Sequence, residues 1–293
     1  MSGAPGVETI ITGRRRDLGD GFFVARVLPA PLHRSVGPFV FFDHMGPMDL
    51  APGQGMDVRP HPHIGLATVT YLFDGAIMHR DSLGSQQLIE PGAINWMTAG
   101  RGIAHSERTP PDVRARGSRQ HGLQLWVALP ATHEETEPAF HHYPAATLPV
   151  SEDRGVTLRT LAGSAYGVVS PVAVLSPLFY VEALLAPGAR VALPDDHEER
   201  AAYVVEGTAR CGEESFPRGT MIVFTPRAAV AIEAEGPSRV MLLGGARLDG
   251  PRHLWWNFVS SSKERLEQAK ADWNESRFAP VAGDEDERIP LPA

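Results

Sequence analysis

The chain has 293 residues, enough for two domains of ordinary size, because single hydrophobic cores rarely keep growing beyond about 250 to 300 residues. Hydrophobic residues make up 43% and charged residues 21%, with 29 glycines and 26 prolines. This composition is typical of a folded, turn-rich β protein and excludes a disordered or fibrous chain. The net charge of −8 argues against direct nucleic-acid binding, which needs Lys and Arg to replace counterions. We therefore interpret Arg14–Arg16 as a solvated patch.

The cysteine content and the apolar runs of the sequence indicate the cellular compartment of the protein. Cys211 is the single cysteine, so no intrachain disulfide can form, and the chain is suited to a reducing compartment. The N-terminal residues lack the basic and apolar regions of a signal peptide, and no run of about 20 apolar residues occurs. We expect a cytoplasmic protein without membrane contact. No basic pair flanks Cys211, so a nucleophilic role is not expected.

Short apolar segments rich in β-branched and aromatic residues recur along the chain between Gly, Pro, Asn and Asp. This spacing predicts an all-β sandwich or barrel. The predicted strands are Phe39–Phe42, Ala67–Phe73, Ala93–Met97, Leu123–Leu129, Phe179–Leu185, Ala201–Val205, Met221–Phe224, Val230–Ile232 and Val240–Leu243. Residues Tyr71–Gly75 and Tyr203–Gly207 share one pattern, which indicates a repeated β domain. The stretch Pro130–Gly155 carries little periodicity and is interpreted as the crossing between domains.

The clearest helix lies near the C-terminal end. Ser261 and Glu264 have the spacing of a capping box, and Leu266, Ala269 and Trp273 follow on one face. Several prolines and an acidic run after residue 278 cannot continue this helix. The sequence therefore predicts a helix at about 262–275 and an extended tail over the surface.

Two pairs of side chains have the spacing of metal ligands on strands. His61 and His63 stand at i and i+2, so on a strand both imidazoles leave the same face. His105 and Glu107 repeat that spacing downstream. Neighbouring strands would bring the four side chains to one point inside a barrel. A His-x-His pair alone is common in proteins without metal, but the second, acid-containing pair makes a metal site the better interpretation.

The ligand chemistry narrows the ion without naming it. Three imidazoles and a carboxylate, with no thiolate, disfavour structural zinc and suit iron, nickel, copper, cobalt or manganese. Four protein ligands around an ion that prefers six would leave positions open for substrate, water or dioxygen. Such an open site is typical of catalysis rather than of a structural metal.

Beyond single residues, longer motifs in this chain resemble those of the pirin family in order and spacing. They begin with Phe41–Pro47, His61–Gly65 and His79–Gly84 and continue with Asn95–Glu107, Gly122–Val127 and Trp256–Val259. The resemblance implies two tandem cupin barrels, which are double-stranded β-helices of jelly-roll type, with a short C-terminal helix. We expect an N-terminal metal-binding cupin at residues 1–135 and a C-terminal cupin at 136–293.

The resemblance also implies a function and a role for each ligand. One metal would be bound by His61, His63, His105 and Glu107, with iron expected first and nickel, copper, cobalt, manganese or zinc as alternatives. Some pirins oxidise the flavonol quercetin with dioxygen, and Glu107 would then be the catalytic base. The alternative is a metal- or redox-dependent regulatory protein similar to a transcriptional cofactor, with a protein partner and little enzymatic activity. A further alternative is another small-molecule cupin reaction.

The chain departs from the pirin pattern at two positions, and it contains histidines outside the two predicted ligand pairs. Ile64 stands where the family often has Arg, and the usual cupin glutamate falls at Ala67 or Thr68. The second barrel is expected to be metal-free. His79 and His121 are candidates for orienting a ligand, with simple packing as the stronger expectation. Structural, linker or solvated positions are expected for His44, His141, His142 and His197.

Overall fold

The structure is a computed structural model that describes residues 3–17 and 22–292, and its regular secondary structure is mostly β-strand. The first strands are β1 (Val7–Thr12), β2 (Arg14–Asp17), β3 (Phe23–Leu28), β4 (Phe39–Leu50), β5 (Asp57–His63), β6 (Leu66–Asp74), β7 (Ile77–Asp81), β8 (Gln86–Ile89), β9 (Ile94–Thr98), β10 (Ile103–Arg108), β11 (Ser118–Ala128) and β12 (Ala139–Tyr143). The later strands are β13 (Val150–Asp153), β14 (Val156–Ala165), β15 (Val168–Val169), β16 (Leu178–Leu185), β17 (Arg190–Ala192), β18 (Glu199–Glu206), β19 (Thr208–Cys211), β20 (Glu214–Pro217), β21 (Thr220–Phe224), β22 (Ala231–Ala234), β23 (Ser238–Gly245), β24 (His253–Trp255) and β25 (Phe258–Ser260). The α-helices in the described part of the chain are α1 (Pro111–Arg116) and α2 (Lys263–Asn274). Neither has the length and apolar composition that a membrane crossing requires.

The chain forms two compact units, each assembled from separate segments. Unit 1 contains Met1–Arg15, Ala25–His44 and Ala146–Arg247. Unit 2 contains Arg16–Val24, Met45–Ala145 and Leu248–Ala293. The expected continuous domains 1–135 and 136–293 therefore differ from the units that form.

Unit 1 consists of two sheets that share one apolar core. The larger sheet has the order β1-β21-β18-β23-β16-β14-β13, and the smaller has the order β17-β22-β19-β20. Along β16, Phe179, Val181, Ala183 and Leu185 alternate towards this core, as the two-residue period of a strand requires. The first strand belongs here because Val7–Thr12 pairs with β21 and forms the edge of the larger sheet, which explains why this segment is not part of unit 2.

Unit 2 carries a small sheet with the order β5-β10-β7-β8 and a larger one in which β12, β9, β6 and β11 are neighbours. Helix α2 packs its apolar face, which includes Leu266, Ala269 and Trp273, into a cluster with Ile64 and Phe258. Burial of this face explains why the C-terminal segment folds in unit 2 and not with the C-terminal repeat. The two-sheet pattern of both units confirms the expected all-β fold of two cupin barrels.

Several local predictions hold and others need correction. Each of the nine predicted strands overlaps an observed strand, and the predicted helix at 262–275 matches α2. The cap is shifted by one residue, because the Ser262 hydroxyl, not that of Ser261, accepts the bond from the Arg265 amide. The stretch 130–155 is less irregular than expected: it contains β12, which pairs with β9, and β13. The tail beyond α2 contacts the helix, since the Trp273 indole donates a hydrogen bond to the Ile289 carbonyl.

Candidate metal centre

The two predicted ligand pairs lie on adjacent antiparallel strands, β5 and β10. His105 stands opposite His61 in this register, and Glu107 stands opposite Val58. The register shifts between His105 and Glu107 because β5 has one extra residue between Val58 and His61, whereas β10 itself pairs regularly with β7. The sequence prediction that both pairs lie on neighbouring strands is therefore confirmed.

Three of the predicted ligands converge. The side-chain nitrogens of His61, His63 and His105 lie within 4.8 Å of one another, and all three residues are buried. The Nε2 atoms of His63 and His105 are 3.1 Å apart. Two nitrogens about 2.1 Å from a common ion and this far apart would subtend about 95° at it, which fits a metal with ligands near right angles. The histidine cluster can therefore hold a metal ion.

Burial keeps the three imidazoles neutral. It lowers the pKa of His61 from 6.5 to about 4, although the hydrogen bond between Nδ1 and the Arg59 carbonyl opposes the shift. Burial, together with the neighbouring imidazoles, also lowers the pKa of His63 and of His105 well below the usual value. Neutral imidazole is the form that binds a metal, so near pH 7 the cluster is ready to bind without first releasing protons.

Glu107 is buried beside this cluster but is not part of the group of mutually close ligand atoms. Its Oε1 accepts a hydrogen bond of 3.0 Å from the Thr70 hydroxyl. Burial raises the pKa of this carboxyl, while the nearby ring of His79 and the Thr70 hydrogen bond act in the opposite direction. A buried carboxyl with a raised pKa is suited to taking up and returning a proton.

Side chains that the sequence analysis did not single out surround the cluster. The Thr70 hydroxyl also lies 2.9 Å from the side-chain oxygen of Gln124, which connects Glu107 to a second polar group. The Trp126 ring stands edge-on to His63 with ring centroids 5.2 Å apart. Strand alternation is the sequence signal that could have identified two of these side chains, because Gln124 and Trp126 are two residues apart on β11 and share one face.

The structure also decides between the two expectations for His79 and His121. The Nδ1 atom of His79 lies 3.4 Å from Nδ1 of His105, so His79 contacts the histidine cluster directly. His121 is fully buried against the Phe73 ring instead, with its Nδ1 3.8 Å from the carboxylate of Asp74. Of the two, His79 is therefore the one in position to orient a ligand.

The remaining histidines take structural positions. His44 Nδ1 bonds to the Tyr203 hydroxyl at 2.8 Å, as expected for a structural residue. The expectation that His197 lies in a solvated loop is wrong: it is buried, bonds to a backbone carbonyl at 2.9 Å and packs on Phe179. His142, which was expected to have no role, lies 2.7 Å from the side-chain oxygen of Asn95.

Comparisons with known proteins agree with this architecture. A family model described as Pirin matches residues 21–127, and one described as Pirin C-terminal cupin domain matches residues 180–279. A Pirin-like protein of Caulobacter vibrioides is 51% identical over 98% of this chain and 99% of its own length.

Solved structures show the same relationship. A quercetin 2,3-dioxygenase from Acinetobacter baumannii matches with a TM-score of 0.90 and 35% identity, covering 97% of this chain and 95% of that one. The bacterial pirin YhhW from Escherichia coli, solved in complex with nickel(II), has a TM-score of 0.64 and 19% identity over 82% of this chain and 99% of its own, which supports the fold alone. The family-model matches and the identity of the Caulobacter relative together show that this chain belongs to the pirin family.

Proposed function

We propose that the protein is a metal-dependent dioxygenase that cleaves a flavonol such as quercetin with dioxygen and releases carbon monoxide. One observation carries the proposal: three buried, neutral imidazoles converge on one point, with a buried, protonatable carboxyl beside them. The 35% identity to a quercetin 2,3-dioxygenase supports the substrate class. The cytoplasm, where the thiol of Cys211 stays reduced, is the proposed location.

We propose that His61, His63 and His105 hold a single divalent transition metal, with Glu107 as a fourth ligand. Iron is our first choice. A ligand set of nitrogen and oxygen atoms suits iron, nickel, cobalt, manganese and copper, whereas a closed structural zinc site usually contains thiolates. When bound, the metal supplies Lewis acidity, which lowers the pKa of a flavonol hydroxyl bound at the open positions.

The residues around the metal would accept the proton of the substrate hydroxyl and return it to the product. Glu107 accepts the proton of the flavonol 3-hydroxyl, because burial keeps its pKa high enough for it to act as a base and later as an acid. The Thr70 hydroxyl fixes the position of Oε1 by its hydrogen bond. Addition of dioxygen and loss of one carbon as carbon monoxide leave an ester carboxylic acid, and the proton that Glu107 took up returns to this product. All atoms of the flavonol and of dioxygen are thereby accounted for.

The test follows metal content, quercetin and carbon monoxide together. Purified protein loaded with ferrous iron or nickel should consume quercetin in air with saturation kinetics and form one carbon monoxide per quercetin. His61→Gln should lose both metal and turnover, and Glu107→Gln should retain some metal yet lose turnover. His133→Gln is the matched control, since His133 is an exposed histidine of the same unit.

The outcomes separate the two classes of function. Metal-loaded protein that forms no carbon monoxide would contradict the dioxygenase proposal and favour the regulatory alternative. Turnover that survives in His61→Gln at wild-type rates would show that the chemistry does not depend on this centre.

A further inference from the structure

Two of the three clustered imidazoles are oriented by the backbone. Nδ1 of His61 lies 2.8 Å from the carbonyl oxygen of Arg59, and Nδ1 of His63 lies 3.0 Å from that of Asn257. A carbonyl oxygen can only accept a hydrogen bond, so each ring carries its proton on Nδ1. The Nε2 lone pairs of both rings are therefore free to bind a metal.

His105 is held differently. Its Nδ1 lies 3.4 Å from Nδ1 of His79, a side chain whose ring nitrogen can either donate or accept. This contact alone does not decide which nitrogen of His105 carries the proton. If His79 donated here, His105 would have to carry its proton on Nε2, the atom that faces Nε2 of His63 at 3.1 Å. Metal binding would then be blocked at one of the three imidazoles.

A buried carboxylate resolves the ambiguity. Oδ2 of Asp81 lies 3.0 Å from Nε2 of His79, and Oδ1 accepts hydrogen bonds of 2.9 Å from the backbone amides of Leu83 and Ser85. Asp81 has no exposed surface. Burial acts to raise the pKa of Asp81, but the hydrogen bonds from His79 and Ser85 outweigh it and leave the pKa below its usual value. The carboxylate is therefore an acceptor only, so His79 donates through Nε2, and in the neutral form of the ring Nδ1 is then the acceptor.

The ring of His79 is also fixed in place. Phe140 stacks on it with a centroid distance of 4.1 Å and an interplanar angle of 12°. Both residues are in unit 2, together with the histidine cluster. The stack restricts rotation of the ring, so the two nitrogens of His79 stay directed at Asp81 and His105.

From this chain of contacts we propose that Asp81 and His79 are positioning residues for the metal site: together they hold His105 in the tautomer whose Nε2 can bind the ion. The inference rests on the proposed function only in taking the histidine cluster as the metal site. It assigns to the motif His79-Arg80-Asp81 a role in setting metal affinity.

Asp81→Asn tests the proposal by replacing one carboxylate oxygen with an NH₂ group. The amides of Leu83 and Ser85 still require an acceptor, so the asparagine oxygen stays towards them and its NH₂ group turns towards His79. His79 must then accept through Nε2 and donate through Nδ1, which reverses the hydrogen bond to His105. Loss of such an outer contact costs about 10- to 100-fold in metal affinity, and we expect a weakening in this range.

The experiment measures iron and nickel affinity by competition with a chelator for wild type, Asp81→Asn, His79→Phe and the double variant. Both single variants should bind about 10- to 100-fold more weakly, and Asp81→Asn should add little in the His79→Phe background, because its effect passes through His79. Asp49→Asn is the matched control, since it removes the same charge from a side chain of unit 2 that is 85% exposed. In the zinc-loaded protein, ¹⁵N spectra should report His79 protonated on Nε2.

Two results would overturn the proposal. One is wild-type affinity in Asp81→Asn. The other is an equal, additive loss from Asp81→Asn in the His79→Phe background, since it would assign the effect to the turn at residues 81–85. Failure of the metal site itself would appear differently, as unchanged metal binding in His61→Gln.

Discussion

The buried imidazole of His61 predicts a specific pH dependence of folding for the metal-free protein. The pKa of His61 falls from 6.5 in the unfolded chain to about 4 in the fold. Below pH 6.5 the unfolded chain therefore binds more protons, so the free energy of unfolding decreases as the pH falls and the loss is complete near pH 4. A difference of 2.5 pKa units corresponds to about 3 kcal/mol, of which about 2 kcal/mol is lost by pH 5.

The assay is urea unfolding of chelator-treated protein at several pH values between 5 and 7.5, for wild type and His61→Gln. The variant should lose at least about 2 kcal/mol less than wild type over this range, because glutamine does not titrate and no longer lowers the pKa of His63 and His105. Glu107 has a raised pKa and contributes with the opposite sign, but it is present in both proteins and cancels in the difference. Identical pH dependence in the two proteins would refute the view that burial keeps His61 neutral.

Three further predictions follow from the same structure. Thr70→Val removes the hydrogen bond to Glu107, worth about 1.5–3 kcal/mol, so kcat/KM for quercetin should fall about 10- to 100-fold; unchanged kinetics would exclude a role for this hydroxyl. Arg252→Met should lower the free energy of unfolding by about 3–5 kcal/mol in urea titrations, because the buried carboxylate of Glu134, 2.8 Å from Arg252, keeps its hydrogen bonds from Ser260 and Ser261 but loses its opposite charge; a change below about 1 kcal/mol would contradict this. Nickel at 100 times its Kd should stabilise the metal-free protein by about 2.7 kcal/mol and raise Tm, an effect that His105→Gln should abolish.

The cluster of three histidines could be predicted from the sequence because its signal is local. Strand geometry alone places His61 and His63 on one face, and the same rule applies to His105 and Glu107. The convergence of the three imidazoles depended only on β5 and β10 being neighbours. The same spacing rule could not predict that the carboxyl of Glu107 stands outside the group of three mutually close imidazoles.

Contacts between distant segments could not be predicted. Thr70 Oγ1 lies 2.9 Å from the side-chain oxygen of Gln124 because β6 and β11 pair in one register, and that register is a property of the whole sheet. The carbonyl of Asn257 reaches His63 across 194 positions of sequence. His197 was misjudged for the same reason: its acidic neighbours indicated a solvated loop, but tertiary packing against Phe179 buries it.

Local sequence patterns also could not predict which segments of the chain form each unit. The alternating, mostly exposed pattern of β1 marks an edge strand but does not say which sheet it joins. The face of helix α2 was predicted correctly, yet nothing in its own sequence specifies that it packs near Ile64 in unit 2. An internal repeat indicates two barrels, but it does not indicate that Met1–Arg15 belongs to unit 1 and Leu248–Ala293 to unit 2.

The most direct test of the metal centre is an anomalous difference map from crystals grown with iron or nickel, recorded on both sides of the metal absorption edge. The account predicts one strong peak in each chain, about 2.1 Å from a ring nitrogen of each of His61, His63 and His105 and within bonding distance of the Glu107 carboxylate. A peak elsewhere, or none at this position in crystals of protein that carries stoichiometric metal, would contradict it.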